Sequence, residues 1–179
     1  MQTIEAIETR RSIRAFTSEP LNEDDLMTII KAASSAPSGG NSQGWVFISI
    51  CDPRRISILR TICPGIIGVP AGVIVLCLDS RLQSTNPAGS MNVMRYYDIG
   101  AAMQNILLAA HDLELGGCAI GSFHAKGLTT FLNLPDAIEP CLLVALGKPK
   151  FFPSPPKKRP LEEIYYKERY EASHGNSST

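Results

Sequence analysis

Apolar positions along the chain fall into two patterns, one with helical spacing and one nearly continuous. Residues 3 to 9 carry Ile4 and Ile7 on one side of a short helix, with Thr3 placed to cap it. A second helix opens at Asn22, whose side chain suits a cap, and Glu23, Asp24 and Asp25 complement the positive pole of the helix. Leu26, Ile29, Ile30 and Ala33 form its buried stripe. Asp52-Pro53 starts a basic helix reaching Arg60, and a weak helix near 126 to 133 stops at Pro135. The longest helical pattern runs from Tyr97 to Leu115. Its stripe of Ile99, Ala102, Met103, Ile106, Leu107 and Ala110, widened by Ala101 and Ala109, predicts a core helix that Gly116-Gly117 ends at positive φ.

The continuous runs read as strands. Residues 45 to 51 are aromatic and β-branched, and residues 71 to 78 (AGVIVLCL) are apolar throughout, as expected of a strand covered on both faces. Residues 118 to 122 form a short strand or turn, and residues 141 to 146 a further buried strand. Residues 34 to 44 are small and polar, and Pro37 and the two following glycines stop the second helix. That loop reads equally as a surface linker or as backbone left bare for a ligand. Residues 80 to 92 are polar and loop-like.

After Gly147, Phe151-Phe152-Pro153-Ser154-Pro155-Pro156 must run extended, because proline fixes φ and lacks an N–H. Two phenylalanines on such an arm need an apolar cover, which suggests a neighbouring subunit. A short helix from 161 to 170 and a disordered polar tail over 171–179 complete the reading.

With 179 residues, 44% hydrophobic and 19% charged, the chain fits one soluble domain with a real core. Zero formal net charge argues against nucleic-acid binding, and no apolar run is long enough to span a membrane. The N-terminus lacks the order of a signal peptide. Cysteines 51, 63, 77, 118 and 141 form no CxxC pair, so free thiols in a reducing, cytoplasmic setting are expected and a zinc site is not. Cys51 and Cys77, in apolar runs, are expected to behave as small buried hydrophobes.

Positive charge is concentrated in Arg10-Arg11-Ser12-Ile13-Arg14 and in Lys157-Lys158-Arg159. A helix would put Arg10 and Arg14 on one face, and an extended segment would do the same with Ser12 between them. Guanidinium groups match phosphate oxygens in shape and charge, so the first cluster reads as a small-anion site. It also reads as cations offsetting the negative end of a helix.

Together the segments RRSIRAF, APSGGNSQGW, YYDIGAAMQNILLAAHDLELGGCAIGSF, LVALGKP and PKKRPLEEIYY resemble, in order and over residues 1 to 165, a compact member of the nitroreductase family of FMN-dependent oxidoreductases. The resemblance implies a single FMN-binding α+β domain over 1–165, with a central, mostly antiparallel sheet flanked by helices. It implies a homodimer in which an arm of about residues 148–165 is exchanged, and two FMN sites at the interface. For the cofactor it implies Arg10, Ser12 and neighbouring Arg11 at the phosphate, with Arg14 near the flavin N1–C2 edge. It puts Pro37, Ser38, Gly39 and Asn41 in a loop reaching the ring from the partner. Ile120, Gly121 and Ser122 form a turn at the N5–O4 edge, and Lys157 and Arg159 a second phosphate clamp. The flavin would carry the chemistry, taking hydride from NADH or NADPH and passing it by a ping-pong mechanism to a small-molecule acceptor such as a nitroaromatic or quinone.

Gly44 departs from the family's usual proline before the tryptophan, the segment just before Ala71 lacks an asparagine that larger members carry, and the segment between Cys51 and Tyr97 is short. Two alternatives keep the fold: a non-catalytic flavin carrier or sensor, and a flavin-fragmenting or dehalogenating relative. His111 reads as a helix-surface or capping residue, His124 as a solvated loop histidine or a proton donor to the acceptor, and Cys118 as packing. Arg95, Tyr96 and Tyr97 are candidates for the entrance.

Overall fold

The computed structural model describes residues 1–82 and 91–170, with only the backbone of residues 91 and 92. The sequence-predicted tail over 171–179 lies outside the described residues, as does most of the 80–92 loop. Four strands, β1 (Trp45–Ile50), β2 (Gly72–Asp79), β3 (Gly116–Ile120) and β4 (Ile138–Gly147), form one antiparallel sheet in the order β1-β2-β4-β3. Five helices surround it: α1 (Thr3–Thr9), α2 (Glu23–Ser34), α3 (Pro53–Ile62), α4 (Met91–Asp112) and α5 (Ala125–Leu132). This is the α+β architecture that the resemblance implies.

β2 is buried at every position, and its alternation feeds two cores. Val73, Val75 and Cys77 pack with Ile56 and Leu59 of α3 and Leu128 of α5. Ile74, Leu76 and Leu78 pack with Ile29 and Ala33 of α2 and with Ile99, Ala102 and Ile106 of α4. Fully burying each large aliphatic side chain contributes about 1.5–3 kcal/mol, so the central strand anchors both layers. Local chemistry sets the helix starts: Asn22 Oδ1 accepts from Asp24 N–H at 2.8 Å, and Asp52 Oδ1 accepts from Arg55 N–H at 2.8 Å behind Pro53.

Several expectations are corrected. α4 begins at Met91, inside the stretch read as loop, and ends without help from Gly116-Gly117. Glu114 takes the left-handed conformation (φ 58°), while Glu114 N–H bonds the His111 carbonyl (3.1 Å) and Leu115 N–H the Ala110 carbonyl (2.8 Å). That pair of bonds closes the helix, and the two glycines open β3 instead. α1 is preceded by Gln2 rather than capped by Thr3, and it buries only Ala6; Ile4 and Ile7 are 66% and 49% exposed. Cys77 is buried as expected, but Cys51, just past the end of β1, is exposed. Residues 161–170 hold only a 3₁₀ turn, Leu161–Glu163, which buries nothing and so lacks the packing that would extend it.

Beyond β4 the chain runs extended and is zipped to its own N-terminal segment. Thr17 N–H donates to the Lys148 carbonyl (2.8 Å), and Lys150 N–H donates to the Ala15 carbonyl (3.0 Å), around a Phe16–Pro149 bridge. Among the described residues no helix is long and apolar enough to cross a membrane.

Candidate cofactor site

Arg10 leaves α1 in an extended conformation (φ −54°, ψ 136°), and the segment after it lies along the edge of β3. Ser12 forms a parallel bridge with Gly117, and Ile13 N–H donates to the Gly117 carbonyl at 3.0 Å. The arginine cluster is therefore extended, not helical. Ile13 is buried in the core, at 2% exposure. Arg10, Ser12 and Arg14 alternate with it and, with Arg11, line a cavity of about 670 Å³. Ile7 and Glu8 of α1 and Pro153, Ser154, Pro156 and Lys158 of the C-terminal arm complete the wall.

The cations in this cavity differ in how they are satisfied. Arg11 Nη1 donates to the carbonyls of Glu8 and Arg10, both at 2.9 Å. Arg10 Nε and Nη1 are buried without an acceptor. A buried charged donor left unpaired costs at least about 1–3 kcal/mol, so these two N–H groups, held on one rigid plane, are suited to an oxyanion that brings its oxygens to both.

Lys158 belongs to this cavity, whereas Lys157 and Arg159 do not line it. Arg159 instead donates from Nη2 to the Glu163 carbonyl (3.0 Å) and from Nε to its carboxylate (3.3 Å). Neighbouring residues of an extended segment point to opposite sides, so 157 and 159 share a side and 158 takes the other. The KKR run carried the signal for Lys158 but not the phase.

The other sequence-predicted groups lie elsewhere on the chain. Residues 35 to 44 fold around a 3₁₀ turn, Gly39–Asn41, with Gly40, Asn41 and Gln43 at positive φ. Gln43 N–H donates to Ser38 Oγ (3.0 Å), and Gln43 Nε2 donates to Asn41 Oδ1 (3.1 Å). Gly39 N–H is shared by both carboxylate oxygens of Asp98 on α4, at 3.3 Å each. Pro37, Ser38, Gly39 and Asn41 are thus tied to α4 and do not line the arginine cavity.

β3 passes beside Ser12 at Gly117 and reaches Ile120 about 10 Å further along. Ile120 is buried, Gly121 has open space where a Cβ would stand, and the Ser122 carbonyl accepts from Gly65 N–H (3.2 Å). His124 is not a free loop residue: its Nδ1 accepts from Gly127 N–H (3.0 Å) and caps α5. Cys118 is buried in β3.

At the far end of β2, Arg81 holds the buried carboxylate of Asp79 at 2.6 Å, which brings that carboxyl down to about 2. Arg95 donates to the Asp79 carbonyl, and Tyr96 to Glu139 Oε1 (2.9 Å), so both candidate entrance residues have local partners. Tyr97 is exposed.

The sequence model of the nitroreductase family matches residues 7–63 and 65–148. The chain belongs to the nitroreductase family. A nitroreductase-family relative from Archaeoglobus fulgidus, a putative NADH dehydrogenase/NAD(P)H nitroreductase, is 35% identical over 156 residues, covering 83% of this chain and 86% of its own. An FMN reductase (NADPH) of Bacillus subtilis is 28% identical, covering 94% and 74%. Among solved structures, the NADPH:FMN oxidoreductase of Vibrio harveyi complexed with NAD+ superposes with a TM-score of 0.85 at 28% identity, covering 96% of this chain and 79% of that one.

Proposed function

We propose that this nitroreductase-family chain is an FMN-dependent oxidoreductase that passes electrons from NADH or NADPH to a small-molecule acceptor, a nitroaromatic, a quinone or a compound of similar kind. The observation that carries this reading is the pair of unpartnered buried nitrogens on Arg10, inside a cavity with three further cationic residues. A mononucleotide phosphate fits that donor set in charge and in its many acceptor oxygens.

FMN, when bound, supplies the two-electron relay that no side chain of this protein offers. The chain supplies grip and field. Arg10, with its two unpartnered N–H groups, would hold the phosphate together with Arg11, Ser12 and Lys158. Arg14, at the cavity edge and exposed, contributes positive charge toward the flavin N1–C2 edge. The open backbone of Gly121, with Ile120 and Ser122, would border the ring. Lys158, which lines the cavity, would take the role that the resemblance gives to Lys157 and Arg159.

The working unit in this reading is a cytoplasmic homodimer. Exposed Ile4 and Ile7 on α1 and exposed Phe151, Phe152, Leu161, Ile164 and Tyr165 on the arm are apolar surface that a second copy would cover. In such a dimer the loop with Pro37, Ser38, Gly39 and Asn41 reaches the partner's cavity, which explains its distance from its own. Donor and acceptor then alternate in one site.

Anaerobic mixing of FMN-loaded protein with NADPH or NADH tests the activity. Prompt loss of the yellow absorbance, restored by a nitroaromatic or quinone with parallel double-reciprocal plots, is the expected result. Bound flavin that stays yellow with both donors leaves a carrier and overturns the enzyme.

A further inference from the structure

His111, near the end of α4, does not line the arginine cavity but contacts Thr9 and Phe152, each next in sequence to one of its lining residues. Its Nε2 lies 2.8 Å from Thr9 Oγ1, at the end of α1 next to Arg10. The Thr9 hydroxyl gives its proton to the Glu5 carbonyl at 2.6 Å, so the imidazole is the donor and carries its hydrogen on Nε2. On the other side the ring of Phe152 stands edge-on to the imidazole, with centroids 6.3 Å apart. Phe152 directly precedes Pro153 and Ser154, which form the arm's side of the cavity.

We propose that His111 is a positioning residue of the anion cavity, fastening the C-terminal arm to the end of α1 and coupling its own charge to anion binding. The proposal rests on the reading of the cavity as the phosphate site.

The groups facing His111 decide the sign of the coupling. Arg10 and Arg11, which follow α1, oppose a proton on the ring, while Asp112 beside it and Glu5 on α1 favour one. Asp112 is itself held by the N-terminal amine of Met1 at 2.7 Å, which blunts its help. From the arm, Phe152 offers no charge, and Lys158 lines the cavity that His111 does not enter. Burial is the largest influence, and with the two arginines it keeps His111 below the ordinary imidazole range. A dianion on Arg10 cancels part of the opposing charge, so binding favours protonated His111, and protonated His111 favours binding by the same factor.

The experiment is an NMR titration of His111 in the full chain, with and without saturating FMN, its signal assigned by removing the other two histidines. The expected midpoint without FMN lies below that of free imidazole, and FMN raises it by about half a unit. By reciprocity, FMN affinity then gains roughly threefold more in wild type than in His111→Gln as pH falls through that range. The phosphate of FMN titrates equally in both proteins and cancels. Superimposable pH profiles and an unmoved midpoint, with FMN bound, overturn the coupling while leaving the cavity reading intact. Unchanged FMN affinity in Arg10→Ala overturns the cavity reading and the proposal with it. Should His111→Gln fail to fold, the wild-type midpoint alone decides.

Discussion

Ile13 sits over Gly116 so closely that a Cβ on the glycine would come within 2.6 Å of Ile13 Cβ. This contact seats the arginine segment on the edge of β3. Gly116→Ala is expected to destabilise the fold by about 1–3 kcal/mol, the range for overpacking a close-packed core. It should also weaken FMN binding, because relief comes most readily by lifting residues 10–14. Urea denaturation and flavin titration of the variant check both, and an unchanged unfolding midpoint would show that the segment yields freely.

Arg10→Ala is expected to weaken FMN binding by about 1.5–3 kcal/mol, the loss of charged hydrogen bonds to the ligand. Arg10→Lys should restore only part, since an ammonium cannot present two coplanar donors. Stability without ligand should not fall, because the native guanidinium has two buried nitrogens with no acceptor. Quenching of flavin fluorescence on binding gives the affinities, and thermal melts of the ligand-free proteins give the rest.

Asp79 makes stability depend on pH in the acid range. Hydrogen bonds from Arg81 hold its carboxyl at about 2 in the folded chain, against about 3.9 in an unfolded one. The folded state therefore binds the proton less readily than the unfolded state. Its contribution is complete above about pH 4 and disappears as pH falls toward 2. Urea midpoints measured across that interval should decline more steeply in wild type than in Asp79→Asn.

The thiols should separate by burial. Desolvation pushes Cys63 up to about 11 and Cys77 to about 12, so neither offers thiolate at neutral pH. With an aromatic disulfide reagent at pH 7.5, exposed Cys51 should react first, and Cys63 and Cys77 only once the protein unfolds. Rapid modification of all five in the native protein would contradict this packing.

Much of the fold is legible in the chain because it depends on short-range regularities. The apolar run of β2 announces a strand covered on both faces, and Asn22 and Asp52-Pro53 mark helix starts with their own side chains. The errors arise where a distant partner decides. Gly116 and Gly117 look like a helix stop, but they are demanded by Ile13 and by Leu107, whose Cδ2 lies 2.7 Å from where a Cβ on Gly117 would stand. Ile4 and Ile7 look like a core-facing pair, yet one chain alone offers nothing to cover them. At the site, the arginine cluster was visible as chemistry. Which lysine of the arm faces it was not, since the phase of an extended segment is set by its pairing with residues 15–17.

That pairing also orders events in time. The arginine wall of the cavity is translated before any strand of the sheet, and Lys158 follows only when all four strands have been made. A nascent chain on the ribosome thus holds half a receptacle. On the proposed reading, a chain interrupted within the arm would fold around its sheet yet grip its ligand from the arginine wall alone.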